Sequence, residues 1–401
     1  MQRKILFGIF ILLTIDLQAQ QMPEAWYRSQ AAYERGEYSL ALQWIDSCIT
    51  QKASNSTFWE RRGEILFATG EFQNSIESLL NADKLKPNSS SYALSKVYSL
   101  KGDTALCFYW LKNYLSSNDK ISEGAIKLDP AFDNVSSTKQ WKKLWDKDWY
   151  SVYEKLLSDV EYSLSNQNWE EAVDLLNPRL NGSKQRPQLL YLRGKAYAGL
   201  VSYHTAIEDF TYAIKQSKKN HSYLAERAKA YTAIEKFNFA IDDACEAIEL
   251  SGGNPCYYLI RASAYYKNHQ FDKAFDDINY YLSFYPSDSE ASFQLAVIAI
   301  DAGRYVDALF SLGKLIKANP MEPKYYYYRG ITYLKSANYS VAEMDFDIAI
   351  SKGYKPSESY YQRGITRLNL GKKDDACKDI EVASKNGNFN AQELFYKHCK
   401  K

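Results

Sequence analysis

Histidine is scarce in this chain, with four residues among 401. His204, His221, His269 and His398 share no ligand spacing with one another or with cysteine, so no metal site is expected. A Gly-rich phosphate loop, a His-Glu-x-x-His helix, a nucleophile elbow and a Cys-x-x-Cys pair are missing too. These gaps remove the usual seats of chemistry, and the chain is read as non-enzymatic and without a cofactor. Carboxylates are plentiful, but they recur with a period, as in Asp242-Asp243 and Asp276-Asp277, which marks solvated faces or tethers. Neither charge is in excess: 50 Lys and Arg against 48 Asp and Glu give a formal net charge of +2. No nucleic-acid partner and no strong membrane attraction follow from that balance.

Long apolar runs are confined to the start. Arg3 and Lys4 precede the run Ile5 to Ile15, and Leu17-Gln18-Ala19 puts a small residue at a cleavage point. Residues 1–19 therefore read as a signal peptide, and the protein as exported. No Cys lies beside that point, which argues against a lipoprotein anchor. Nothing later approaches the ~20 apolar residues of a spanning helix, so no transmembrane segment is expected in the mature chain.

What the chain has instead is periodicity. From Tyr153 to Asn390 one pattern recurs seven times at a period of 34 residues, without insertion or deletion. The eighth position is small (Gly194, Ala228, Ala262, Ala296, Gly330, Gly364), and the twentieth is Ala from Ala172 through Ala376. Within Pro323 to Pro356, Tyr326, Gly330 and Tyr333 form one helical stripe and Tyr339, Ala342, Phe346 and Ala349 a second, with a break at Ser336 to Asn338. Small residues at positions 8 and 20 let two helices approach closely.

Trp59, Gly63, Leu66, Phe72, Leu79, Ala82 and Pro87 carry this pattern in an early unit, and Leu190, Gly194, Tyr197, Tyr203, Ala206, Phe210 and Ala213 in a later one. The pattern resembles the tetratricopeptide-repeat family over about ten units, nearly the whole mature chain. The resemblance implies an all-α fold, an α-solenoid in which helix-turn-helix repeats wind as a right-handed superhelix. The expected layout is a signal peptide at 1–19, three weaker units over 22–121, an irregular half-repeat or linker over 122–152, seven units over 153–390 and a capping helix over 391–401.

Position 7 is Arg wherever position 23 is Asp in five units: Arg193/Asp209, Arg227/Asp243, Arg261/Asp277, Arg329/Asp345 and Arg363/Asp379. Where position 7 is Leu295 or Asp159, position 23 is Ser311 or Leu175. Such joint change predicts an ion pair tethering the two helices of a unit; anion capture by the arginines is the competing reading. Among six cysteines, Cys377 and Cys399 are placed to meet and staple the cap onto the last unit, with Cys245 and Cys256 a lesser candidate pair. Trp141, Trp145 and Trp149, spaced i, i+4, i+8, read as one helical stripe, either packed between the two blocks or exposed as an interaction surface.

The resemblance further implies that the first helix of each unit lines a concave groove through positions 2, 5, 9, 12 and 13. Mapped here, the groove holds Tyr191, Lys195, Lys229, Leu259, Tyr266, Phe293, Val297, Tyr327, Ile331, Leu334, Tyr361, Ile365 and Leu368. It runs from basic and polar to apolar and aromatic, with Lys267, Lys324 and Lys335 at its rim. A protein or peptide partner with hydrophobic anchors is the expected occupant. The expected role is a scaffold or adaptor in the periplasm or at the periplasmic face of the outer membrane, as an accessory subunit of a membrane complex for envelope assembly or secretion. A self-associating bridge using the convex face or the Trp stripe, and a carbohydrate-binding accessory, are the alternatives.

Overall fold

Ten helical hairpins succeed one another in the computed structural model, which describes residues 22–118, 120–180 and 186–399; the expected signal peptide lies outside them. Three hairpins come first: α1 (Glu24–Glu34) with α2 (Tyr38–Gln51), α3 (Ser56–Ala68) with α4 (Phe72–Leu85), and α5 (Ser91–Leu100) with α6 (Thr104–Leu115). Short pieces follow: α7 (Glu123–Lys127), a 3-10 turn (Pro130–Phe132), α8 (Asp133–Ser136) and α9 (Lys139–Leu144). Hairpins then resume with α10 (Val152–Ser165) and α11 (Trp169–Leu180), α12 (Pro187–Gly199) and α13 (Tyr203–Gln216), and α14 (His221–Ala233) and α15 (Phe237–Ser251). After these come α16 (Pro255–Lys267) with α17 (Phe271–Leu282), α18 (Ser289–Asp301) with α19 (Tyr305–Ala318), α20 (Pro323–Lys335) with α21 (Tyr339–Ser351), and α22 (Pro356–Asn369) with α23 (Lys373–Lys385). A single helix, α24 (Phe389–His398), ends the series. No strand occurs among the described residues, and the all-α repeat solenoid predicted from the period is the fold observed.

Every hairpin reverses through one left-handed residue. Gly36, Gly70, Gly102, Gly303 and Gly371 take it in five turns, but Gln167, Val201, Glu235, His269 and Ala337 take it in the others, at φ of 57–61°. The reversal satisfies carbonyls that the first helix leaves open: after α12 the Ser202 N–H reaches Tyr197 O at 2.9 Å and the Val201 N–H reaches Ala198 O at 3.1 Å. Inside the hairpin, a Cβ added to Gly194 would lie 2.6 Å from the Phe210 ring, and one added to Gly330 2.9 Å from the Phe346 ring. Glycine stands opposite aliphatic residues too: a Cβ on Gly63 would lie 2.5 Å from Leu79 and one on Gly364 2.7 Å from Ile380.

The Arg–Asp covariation is a set of forked ion pairs. In the 193/209, 227/243 and 363/379 pairs, Arg Nε donates to Asp Oδ2 at 2.8 Å and Arg NH2 to Asp Oδ1 at 2.7–2.8 Å. Arg261 and Arg329 clasp Asp277 and Asp345 in the same way. Three arginines also reach back to the preceding hairpin, through Asn177 at 3.0 Å, Thr211 at 3.1 Å and Asp347 at 2.6 Å. Nε and NH2 are spent on a buried carboxylate, so the pair is a tether within and between hairpins rather than a receptor for a free anion.

The chain divides into two compact units at Tyr257/Tyr258. The irregular stretch at 122–152 lies inside the first. Its tryptophans do not form one helical stripe, because α9 ends at Leu144 and the Trp149 indole N–H turns back to Leu144 O at 2.7 Å. Trp141 is buried between Phe108 and Phe132, with Trp145 edge-on to it. The segment thus closes the core of the first three hairpins by packing on α6. Lys120 joins it to the next array: its ammonium is buried, pairs with Glu154 and donates to Ser117 O at 2.9 Å. The beginning of this unit also meets its end, since the Tyr27 hydroxyl donates to Ser251 O at 2.6 Å. In the second unit, α16 to α23 share aromatic and aliphatic clusters, and α24 covers the last of them.

Candidate functional site

Positions 5, 9 and 12 of a helix lie four and three residues apart, which places them on one face. In the second unit this face belongs to the first helices of four hairpins, α16, α18, α20 and α22. Leu259 and Tyr266 on α16, Phe293 on α18 and Ile331 on α20 are half-buried against one cluster built around Leu295, Ile298 and Leu312. Leu334 and Tyr361 with Leu368 border the two clusters that follow. Val297 and Ile365 are likewise half-buried. Such residues keep one side in the core and offer the other to solvent.

Tyr327 departs from this pattern. It is 8% exposed and packs against Phe346 and Tyr354, so it is a core residue and not a groove contact. Its register is right, but it takes the space next to Gly330 and the Phe346 ring. Tyr328, one residue on, stands edge-on to Phe293 with ring centroids 5.0 Å apart. Tyr328 was not among the residues mapped from the sequence, because it sits at position 6, outside the positions carried over from the family.

Polar groups punctuate the apolar row. Asp301 accepts from the Tyr266 hydroxyl at 2.8 Å and lies 3.6 Å from the Lys335 ammonium. Burial, with help from Asp301, pushes the Tyr266 phenol up to about 12, so it stays a neutral donor. Lys324 stands 4.7 Å above the Phe293 ring and 3.4 Å from Glu290. Lys355 lies 5.7–5.9 Å from the rings of Tyr327, Tyr328 and Tyr354. These ammonium groups sit on aromatic faces at the rim of an apolar strip, an arrangement that suits a partner with apolar anchors and carboxylates nearby.

The first unit presents a different wall. Tyr191 packs tilted against Tyr223 with ring centroids 4.7 Å apart, and burial drives its phenol far above the ordinary value. Lys195 is half-buried over that ring at 5.7 Å, and Lys229 is exposed and paired with Glu226 at 2.8 Å. These three residues all belong to the first unit.

The tethering pairs carry no site chemistry. Burial pushes the Asp277 and Asp345 carboxyls up from their ordinary value, with the partner arginines opposing it. Arg193 and Arg329 are held above theirs chiefly by the hydrogen bond to the paired aspartate. Two short N–H···O bonds per pair are the geometry of an ionised couple. A depression of about 360 Å³ at the turn between α16 and α17 is lined by His269, Gln270, Phe271, Asp272, Lys273, Asp301 and Ala302. Among the described residues no group of three His, Cys, Asp or Glu is placed to hold a metal, and no helix is long and apolar enough to cross a membrane.

Comparison with known proteins bears on the hairpin itself. A family model described as tetratricopeptide repeat matches residues 260–323. Among solved structures, a tetratricopeptide repeat protein from Parabacteroides merdae is similar at 19% identity, covering 62% of this chain and 99% of its own, with a TM-score of 0.48. The C-terminal part of a repeat-containing protein from Cytophaga hutchinsonii is similar at 16% identity, covering 60% of this chain and 98% of its own, with a TM-score of 0.49. YrrB, described as a repeat protein with an unusual peptide-binding site, is similar at 16% identity over 46% of this chain and 96% of its own, with a TM-score of 0.39. No curated protein matches the chain.

Proposed function

The chain is a tetratricopeptide-repeat protein, and from that premise we propose that it is an adaptor holding another polypeptide along α16, α18, α20 and α22. Its fold is that of a protein-interaction scaffold. The observation that carries the finer reading is the row of half-buried apolar side chains repeated at one register on successive first helices: Leu259, Phe293, Val297, Ile331, Leu334, Ile365 and Leu368. A soluble protein gains nothing from leaving such a row partly wet unless something covers it. Lysines over the rim aromatics favour a partner whose apolar anchors are flanked by carboxylates.

The basic head, apolar run and small residue at 1–19 support export, and with it a role at the periplasmic side of an envelope or secretion complex. Trp141, one of the three tryptophans of the alternative stripe, is buried in the core and offers no surface for docking. Substituting Leu334→Glu together with Leu368→Glu tests the reading. Capture of the partner from the envelope fraction should fall at least roughly tenfold, the loss expected when two apolar anchors are removed, with helical circular dichroism unchanged. Undiminished capture by a folded double variant would discard the groove.

A further inference from the structure

Helix α24 is the least self-sufficient element of the second unit. It has ten residues, and only Ala391 among them is fully buried. Leu394 and Phe395 lie half-buried against Ala376, Ile380 and Ala383, while Phe389 and Tyr396 are 83% and 64% exposed. The Asn388 side chain caps its start by accepting from the Ala391 N–H at 2.9 Å. A helix this short is unstable alone, and its far end is held to α23 by the disulfide Cys377–Cys399.

We propose that this bond makes α24 a redox-released cap. With the bond intact, α24 seals the apolar end of the repeat array. A dithiol attacks one sulfur, forms a mixed disulfide and then closes on itself, so that Cys377 and Cys399 each leave as a thiol. The dithiol loses two electrons and two protons, and the two cysteines gain them. The face of α23 on which α24 sits, where Ala383 is fully buried in the closed form, is then exposed as a surface shaped for the first helix of a further hairpin. The inference concerns the end of the array and stands independently of which partner the apolar row takes.

Amide exchange of the full chain with and without dithiothreitol tests it, alongside the double variant Cys377→Ser with Cys399→Ser. Reduction and the double variant should each lower protection over residues 389–398 by roughly tenfold or more, the signature of a local opening, while α22 keeps its protection. Unchanged protection in α24 after the bond is broken overturns the proposal. So does equal loss across α22 and α24, because the bond would then be a general staple and not a local gate.

Discussion

At the residue scale, stability rests on close approach within the hairpin. Position 8 is glycine where the facing side chain leaves no room for a β-carbon, as Phe210 does at Gly194 and Phe346 at Gly330. We expect Gly194→Ala to cost about 1–3 kcal/mol, since the added methyl meets a ring at the centre of a packed interface. Combining it with Phe210→Leu should recover part of that loss, because the ring that clashes is removed. Denaturant unfolding of the two single variants and the double variant measures the coupling directly. Strictly additive losses would show that the two positions do not share space. The small residue at position 8 was legible from the sequence. Its pairing with position 24 was not, because each column taken alone shows only an ordinary preference. The same limit explains Tyr327: its register pointed to the groove, and only the packing next to Phe346 shows that it is core.

At the scale of the element, the hairpin depends on a left-handed turn residue that the sequence supplies imperfectly. Val201 adopts φ 61° although its branched side chain is strained there, and it is 69% exposed, so it gains little from packing. Val201→Gly should therefore stabilise the α12–α13 hairpin by about 1 kcal/mol, the relief of a left-handed branched residue less the flexibility glycine adds to the unfolded chain. A rise in melting temperature is the expected reading, and a fall would mean that the valine makes a contact worth more than its strain. The ion pairs belong to this scale too. Arg193–Asp209 and its four counterparts were readable from joint change at positions 7 and 23. The further contact that Arg193, Arg227 and Arg363 make to position 25 of the preceding hairpin was hidden because Asn177, Thr211 and Asp347 share no chemistry beyond accepting a hydrogen bond. Gly313 occupies that place opposite Arg329 and offers no side chain.

At the scale of the whole molecule, the period gave the architecture, and the break in the period proved to be packing. A 34-residue repeat is a strong signal because one supersecondary unit cannot bury its own apolar face, so neighbours must stack. The stretch 122–152 carries no repeat register, and its helical spacing suggested a tryptophan face. The short helix there ends too soon for one; Trp141 is buried in the core, and Trp145 and Trp149 lie half-buried against it. The apolar row was legible in outline for the same reason the fold was: its positions are fixed by the repeat. Tyr328, Asp301 and Lys355 were not, since they act across neighbouring hairpins, where a one-unit template is blind.

The most direct test of the account is site-specific photocross-linking in the native host, with a photoreactive residue placed at Leu334, at Ile365 or at Val306 on the opposite helix of a hairpin. The account predicts one shared polypeptide adduct at Leu334 and Ile365 and none at Val306, which is 81% exposed but lies off the row. Adducts confined to Val306, or none at the two row positions, would contradict it.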